Sequence, residues 1–261
     1  MVQQERAART RRAVLEAAAV VFAEHGYTAA TVADILKTAG VTKGALYFHF
    51  DSKEALARGV LERQTDQLLP GQAIKLQEMV DLAMAVAHRL VHEPLLRAGA
   101  RLSADPIGRR HYGSAWPLWV GMVTQILTEA HQRGETLAHV VPGEVAEMVV
   151  SSFNGVQLYA QLETGLDDVE RRVSVLLQHL LPSIASPPVL MRLDVAADRG
   201  ARVLLEAAGV PVPGPAEQGV QKASAGRSVG GDKLPRTSRT RDTGSEGVWE
   251  ARAAHSGPSG I

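Results

Sequence analysis

Helical periodicity is the feature that most constrains the fold of this chain, because it runs through most of the sequence. In the first segment, Val14, Ala18, Val21 and Phe22 fall on one helical face, and Gly26 follows as a helix stop. Sustained alternation with a period of two is absent, and no Asn-Gly or Asp-Gly hairpin joins two alternating segments. The sequence therefore predicts an all-α fold.

Two short helices near the N-terminus are marked by residues that cap helices. Thr31 and Asp34 form a capping-box pattern ahead of an apolar run, and Thr42 is the expected N-cap of the helix after it. Asp51 and Glu54 repeat the capping-box pattern and are expected to open a longer helix. Two short helices joined by a tight turn with glycine are typical of a helix-turn-helix, although a connection inside an ordinary helical bundle has the same pattern.

The chain from residue 54 to residue 209 has the pattern of a helical bundle. The expected helices are 77–92, 117–133, 142–163, 167–182 and 189–208. The first of these is apolar on most faces, which indicates a central, buried helix. Ser151, Ser152 and Gly155 on the 142–163 helix are small residues that allow another helix to approach closely.

The composition changes at residue 210. Of the 52 residues from 210 to 261, 20 are Gly, Pro or Ser, and burial of the few large apolar side chains could not offset the chain entropy lost on folding. We therefore predict three parts: a helix-turn-helix domain at 1–53, a helical domain at 54–209, and a disordered tail at 210–261.

Several classes of protein are excluded by composition and motifs. The absence of cysteine rules out disulfides and thiolate chemistry and suits a reducing cytoplasm, and no apolar run is as long as a membrane span. No nucleophile elbow, phosphate-binding loop or dinucleotide fingerprint is present, so we predict that the chain is not an enzyme and needs no cofactor. His88 and His92 have metal-ligand spacing, but they have no obvious third ligand, and no metal site is predicted.

Basic and small residues gather at the start of the third predicted helix, within a segment, 1–53, that carries seven Lys/Arg against five Asp/Glu. A helix-turn-helix presents the N-terminal residues of its second helix to base edges, where a lysine can donate to guanine and small residues leave room for close approach. Arginines ahead of the first helix also favour a polyanionic partner, because the helix macrodipole disfavours cations there. Leu46 and Phe50 are expected to turn inward. The residues predicted to contact DNA are Arg11, Thr31, Thr42, Lys43, Gly44, Ala45, Tyr47, His49 and Lys53.

Two classes of function fit these features. One is a DNA-binding repressor, and the other is a helical ligand-binding or interaction module that does not bind specific DNA sequences. Salt dependence separates them, because a repressor releases counterions on binding and its affinity for DNA falls steeply with added salt. A small α-helical enzyme is a third alternative, which would turn over a substrate.

The segment TVADILKTAGVTKGALYFHFDSKEAL resembles the DNA-binding domain of the tetracycline-repressor (TetR) family. The family pattern Gly-x-Leu-Tyr-x-His/Tyr-Phe, followed by Lys-Glu-x-Leu, is matched by Gly44, Leu46, Tyr47, His49, Phe50, Lys53, Glu54 and Leu56. The resemblance covers residues 10–56. Within the family, VTKGALYFHF and the segment PLLRAGARL at 94–102 are most similar to the γ-butyrolactone receptors of actinomycetes and their antibiotic-sensing relatives.

This resemblance implies a homodimeric repressor that binds a near-palindromic operator and is released by a small molecule, either a γ-butyrolactone-type signal or an antibiotic. The 142–163 and 167–182 helices of two copies would form the dimer interface. Trp119 matches the tryptophan that covers the butyrolactone pocket in that subfamily, whereas Trp116 and Pro117 depart from its pattern. The ligand-binding residues expected on this basis are Val86, Leu90, Trp116, Trp119 and Phe153.

Removal of the tail tests the predicted domain organisation. A chain that ends at Gly209 should keep its fold and its oligomeric state, because the segment from 210 to 261 has little apolar surface to bury. We expect the melting temperature, followed by circular dichroism, to change by less than about 2 °C. A fall of many degrees would show that the tail packs on the rest of the chain.

Overall fold

The computed structural model describes residues 2–65, 69 and 71–210. Within these residues the chain is helical and contains no strand, apart from one isolated bridge between Thr136 and Ala185. The α-helices are α1 (Val2–Ala29), α2 (Val32–Ala39), α3 (Lys43–His49), α4 (Lys53–Glu62), α5 (Lys75–His92), α6 (Pro94–Ala104), α7 (Arg109–Tyr112), α8 (Trp116–Gln132), α9 (Pro142–Thr164), α10 (Val169–Leu180), α11 (Pro187–Leu190) and α12 (Arg199–Ala207). The predicted all-α fold is confirmed, while the predicted tail, except for Val210, lies outside the described residues.

The caps of the two short helices form as predicted. Thr31 Oγ1 accepts a hydrogen bond from the Asp34 backbone N–H at 3.1 Å and caps α2. Thr42 Oγ1 accepts from the Ala45 N–H at 3.3 Å and caps α3. Between the two helices Gly40 adopts a φ of +64°, a left-handed conformation that glycine takes without strain. Local sequence chemistry therefore sets the geometry of the helix-turn-helix.

The start of α4 differs from the predicted capping box. Ser52, not Asp51, is the N-cap, and its Oγ accepts from the Ala55 N–H at 3.2 Å. The Glu54 carboxylate accepts instead from the Tyr27 hydroxyl at 2.7 Å, and this hydrogen bond lowers the pKa of Glu54 to about 2. The prediction of a box between residues 51 and 54 was wrong because Glu54 has a distant partner at the end of α1.

The core is divided into two hydrophobic clusters. The N-terminal cluster joins α1 to α4 with parts of α6 and α7, and Leu46 and Phe50 turn into it as predicted. The C-terminal cluster joins α5, α6, α8, α9 and α10, and α5 is its central, buried helix, also as predicted. Helix α6 belongs to both clusters, since Ala98 and Leu102 pack in the first and Leu96 in the second.

The structure differs from the predicted helices in two places. No helix was predicted between residues 92 and 117, yet α6 begins at Pro94, with the proline in its first turn. The single helix predicted at 189–208 is two short helices, α11 and α12. The segment between them is held by other parts of the fold: the Asp194 N–H donates to Gln77 Oε1 at 2.8 Å, and Ser174 Oγ donates to the Val195 carbonyl at 2.6 Å.

A buried ion pair fixes α12 against α5. The Arg199 guanidinium donates two hydrogen bonds of 2.7 Å to the Asp81 carboxylate, which is 1% exposed, and this pairing raises the pKa of Arg199. Next to it, Gly200 lies so close to the Met84 carbonyl oxygen that an added Cβ would collide with it. The last described helix is therefore held by charge and by close backbone contact.

Arg199→Met should lower the free energy of unfolding by about 3–5 kcal/mol, because the Asp81 carboxylate would stay buried without its cation. Urea unfolding at fixed protein concentration measures the change. Arg192→Met, at an exposed residue, is the matched control and should leave the midpoint nearly unchanged. Equal midpoints for the two variants would mean that the ion pair does not stabilise this fold.

Candidate DNA-binding surface and ligand cavity

The start of α3 is an exposed surface of small residues beside a cation. Thr42, Lys43 and Gly44 are exposed, and a Cβ placed on Gly44 would meet no atom within 4 Å. The Lys43 ammonium lies 5.9 Å from the centroid of the Tyr47 ring, over its face. Ala45, the residue after Gly44, is half-buried. This arrangement lets a flat surface, such as the floor of a DNA groove, approach the helix closely.

Aromatic side chains continue this surface along α3. Tyr47 is 42% exposed, and Phe48, which the sequence alone did not indicate as a DNA contact, is 80% exposed. The half-buried His49 ring stands at right angles to the Phe48 ring, 5.0 Å away. The inward positions of Leu46 and Phe50, four residues apart, could have revealed that residue 48 faces outward. An exposed phenyl ring on a recognition helix is suited to contact with thymine methyl groups.

The other predicted DNA contacts lie around this helix and have partners in the protein. The exposed Arg11 guanidinium lies 5.2 Å from the Phe50 ring centroid. The Thr31 hydroxyl donates to the Asp34 carboxylate at 2.6 Å in addition to its role as a cap. The Lys53 ammonium donates to the carbonyls of Tyr27, at 2.9 Å, and Ala30, at 3.0 Å. Contact of all nine predicted residues with DNA stays a prediction.

The end of α1 is linked to both α4 and α6. Gly26 has a φ of +72° and interrupts the helix, so the preceding carbonyls lack helical donors. Arg101 of α6 supplies donors, because its Nη1 lies 3.0 Å from the carbonyl oxygens of both Ala23 and Glu24. Lys53 of α4 donates to the carbonyls of Tyr27 and Ala30, so two cations from different helices hold the end of α1.

A largely apolar cavity lies between α5, α6, α8 and α9. All five predicted ligand-binding residues line it: Val86, Leu90, Trp116, Trp119 and Phe153. Trp119 also packs against both hydrophobic clusters. A concave, mostly apolar space with a few polar groups is the usual form of a small-molecule site. The structure thus brings these residues together, while their contact with a ligand stays a prediction.

The polar groups of the cavity wall are few, and two of them are already bonded within the protein. Asn154 accepts from the Trp116 indole N–H at 3.1 Å and donates to the Val150 carbonyl at 2.7 Å. Ser103 Oγ accepts from the Ala115 N–H at 3.1 Å. These hydrogen bonds fix the wall in place, and the Trp116 ring is also covered by the Arg109 guanidinium, 4.8 Å from its centroid.

Gln64 is a cavity residue that the sequence did not reveal. It lies in the 3₁₀ turn after α4, lines the cavity and is only 3% exposed. In the sequence it stands in the polar run ERQTDQ, which has the composition of a solvated surface. No local signal could have identified this glutamine as buried.

His88 and His92, which have metal-ligand spacing, belong to a different arrangement. His88 Nδ1 lies 2.5 Å from Glu170 Oε1, and the two imidazole rings are 4.4 Å apart. Among the described residues there is no group of three or more His, Cys, Asp or Glu placed to hold a metal ion. The same residues include no helix with the length and apolar character needed to cross a bilayer.

Comparisons with known proteins agree with these features. Residues 14–60 match the model of the bacterial regulatory proteins of the tetR family. The A-factor receptor protein of Streptomyces griseus is 34% identical over 279 residues, which cover 100% of this chain and 99% of that protein. Among solved structures, full-length TylP, a TetR regulator from Streptomyces fradiae, is 40% identical with a TM-score of 0.72, over 77% of this chain and 99% of that one. A γ-butyrolactone receptor (ArpA-like protein) is 30% identical with a TM-score of 0.60, over 77% and 99%.

The fold, the exposed recognition helix and these relatives define the class of the protein, which is a ligand-responsive, DNA-binding transcriptional repressor. The chain belongs to the TetR family of bacterial regulatory proteins. The resemblance seen in the motif around residues 42–56 is therefore confirmed, and so is the repressor class over the alternative of a module that does not bind specific DNA sequences.

Lys43→Ala should weaken operator binding by about 1–3 kcal/mol and relax specificity at one position of each half-site, because the side chain begins the recognition helix. Fluorescence anisotropy with operator variants measures both effects. Arg133→Ala, at the end of α8 in the C-terminal part, serves as the control for loss of one cation. If Lys43→Ala and wild type bind every variant equally, Lys43 does not contact the bases.

Proposed function

We propose that the protein acts in the cytoplasm as a homodimeric repressor of a near-palindromic operator, and that a γ-butyrolactone-type signal or an antibiotic releases it. The observation that carries this proposal is the position of α6. One face of α6 lines the cavity through Leu96, Gly99 and Ala100, and Arg101 on the same helix holds the end of α1. Occupation of the cavity can thus act on the DNA-binding helices.

The proposed dimer interface is an exposed stripe on α9. Met148, Leu158, Tyr159 and Leu162 are 39%, 54%, 54% and 76% exposed and recur at the spacing of one helical face. Ser151 and Gly155 lie between them on that face, and a Cβ on Gly155 would meet no atom within 4 Å. Val175 adds an exposed apolar side chain on α10. An apolar stripe with small residues at its centre suits close packing against the same stripe of a second copy.

Leu162→Lys should weaken the dimer, because it would place two like charges in the interface of two copies. Sedimentation equilibrium should show the dimer dissociating at protein concentrations at least tenfold higher than in wild type. Met191→Lys changes a side chain that is more exposed, at 85%, but lies outside the stripe, and should leave association unchanged. Equal association of both variants would place the interface elsewhere.

A dimer places two copies of α3 in register with DNA. In a helix-turn-helix dimer the recognition helices enter successive major grooves, roughly 34–36 Å apart. The operator is then expected to be near-palindromic, with each half-site read from Lys43, Gly44 and Ala45. A ligand that favours a different separation of the two α3 helices would weaken DNA binding, and coupling of this kind is typically about 1–3 kcal/mol.

The cavity supports the class of effector. Its wall is formed mainly by aliphatic and aromatic side chains, with a few amide and hydroxyl groups. This composition suits a small molecule with an alkyl part and one or two polar groups, which describes a lactone with a hydrocarbon chain. The same class appears in the name of the γ-butyrolactone receptor reported above.

An operator-release assay tests the proposed function. A gel shift with the DNA upstream of the protein's own gene should show a salt-sensitive complex, and an alkyl-substituted γ-butyrolactone should dissociate it. A complex that neither lactones nor culture extract dissociates would contradict release by such a signal.

Trp119→Ala should bind the same DNA but resist release, because the variant loses a large part of the cavity wall. Since Trp119 also packs in the core, Val86→Phe, which fills the cavity instead, is the second variant and should resist release as well. Release of both variants at the wild-type lactone concentration would mean that the ligand binds outside this cavity.

A further inference from the structure

We propose that small molecules enter the cavity from a surface groove beside it, when the contact between Trp116 and Asn154 opens. The proposal rests on the proposed function, in which this cavity holds the effector. It goes beyond that function because it assigns to two residues of the wall the control of how fast a ligand binds and leaves.

The groove lies next to the cavity. It is lined by the end of α1, by α6 and by the middle of α9, and it contains exposed side chains such as Arg101, Leu158 and Leu162. Leu158 and Leu162 also belong to the proposed dimer stripe, whereas the walls of the groove on α1 and α6 do not. The cavity and the groove share five lining residues, which lie between the two spaces: Leu90, Ala100, Trp116, Asn154 and Gln157.

The contact between Trp116 and Asn154 is the weak part of this shared layer. It is one hydrogen bond between neutral side chains of α8 and α9, in which the Trp116 indole N–H donates to Asn154 Oδ1 at 3.1 Å. Water can replace each partner when the bond opens, so opening costs little free energy. The Trp116 ring also meets the Arg109 guanidinium, 4.8 Å from its centroid, and because Arg109 is exposed it can move with the ring.

Opening requires only rotation of the Trp116 side chain. The backbone before it is anchored, because Ala115 is 1% exposed and its N–H donates to Ser103 Oγ at 3.1 Å. Trp116 itself is half-buried and lines the groove, so its ring has space on that side. The ring can therefore turn into the groove while the helices keep their places.

Trp119, the other tryptophan of the cavity wall, is held differently. It lies three residues later on α8 and packs against both hydrophobic clusters. It lines the cavity but not the groove. Rotation of its ring would break apolar contacts with two cores at once, which is why the opening is assigned to Trp116.

Stopped-flow kinetics of the full chain with an uncharged apolar dye tests the proposal. N-phenylnaphthylamine fluoresces in apolar surroundings, and the part of its signal that Val86→Phe abolishes reports on the cavity. Asn154→Leu keeps the size of the side chain but removes the acceptor. Its association and dissociation rates should both rise about fivefold, the factor for one hydrogen bond in the barrier, while the dissociation constant stays nearly unchanged.

Three further variants complete the design. Gln161→Leu makes the same change from amide to leucine on α9, at a residue that lines the groove but not the cavity, and should keep wild-type rates. Trp116→Phe keeps an aromatic ring without the N–H and should repeat the effect of Asn154→Leu, so it serves if that variant fails to fold. Trp119→Phe alters a contact with the bound molecule and should change only the dissociation rate.

The outcomes separate the entry route from the proposed ligand class. Wild-type rates in Asn154→Leu and Trp116→Phe overturn the route, and so does a change in the dissociation rate alone, since the two residues would then only contact the bound molecule. Faster association in Trp119→Phe but not in Trp116→Phe would place the opening at Trp119, and a cavity that takes up no dye also overturns the route. If the dye binds but a γ-butyrolactone with a long alkyl chain does not displace it, the proposed ligand class is wrong, while faster dye exchange in Asn154→Leu still supports the route.

Discussion

The arrangement of this molecule depends on the interruption of α1 at Gly26. A helix leaves its last carbonyls without donors, and a left-handed glycine alone does not supply enough of them. Here Lys53 and Arg101 supply the rest, each through two hydrogen bonds. Because Lys53 begins α4 and Arg101 belongs to α6, one set of polar contacts joins the first helix to α4 and to a wall of the cavity. These contacts are the physical basis of the proposed coupling, in which a shift of α6 alters the support of α1, the helix on which α2 and α3 pack.

Features of the fold that depend on a few neighbouring residues could be predicted from the sequence. The Thr31 and Thr42 caps each use an N–H three residues away, and the inward side of α3 follows from helical spacing. Features that depend on distant partners could not be predicted. Glu54 is bonded to a residue 27 positions earlier, and the ion pair between Asp81 and Arg199 spans 118 positions. Contacts between residues so far apart in the sequence cannot be predicted from the pattern of neighbouring residues.

The candidate sites also contain some residues that the sequence predicts and others whose positions depend on distant parts of the chain. The apolar lining of the cavity was predictable because aromatic and aliphatic residues on amphipathic helices, together with the family resemblance, point to the bundle interior. The burial of Gln64 was not predictable, because it depends on a residue of another helix. Gly99 of α6 has no side chain, and the Gln64 carboxamide fills the space that a Cβ would occupy. Phe48 is the most exposed large side chain of α3, although it is apolar, and an apolar ring in a sequence is ordinarily expected to be buried. Buried polar residues and exposed apolar residues are thus the features that a local sequence pattern does not predict.

The N-terminal cluster has a consequence for the design of hybrid regulators. The family model ends at residue 60, yet Ala98, Leu102 and Tyr112 are members of the same cluster as α1 to α4. A chimera joined at the end of α4 would replace the residues of α1 to α4 in this cluster but keep the original residues of α6 and α7. It would also separate Arg101 from the Ala23 and Glu24 carbonyls, to which it donates hydrogen bonds. A DNA-binding domain transferred to another regulator must therefore include the face of α6 that packs on it. The hybrid protein then keeps the contacts that join its new DNA-binding domain to the cavity.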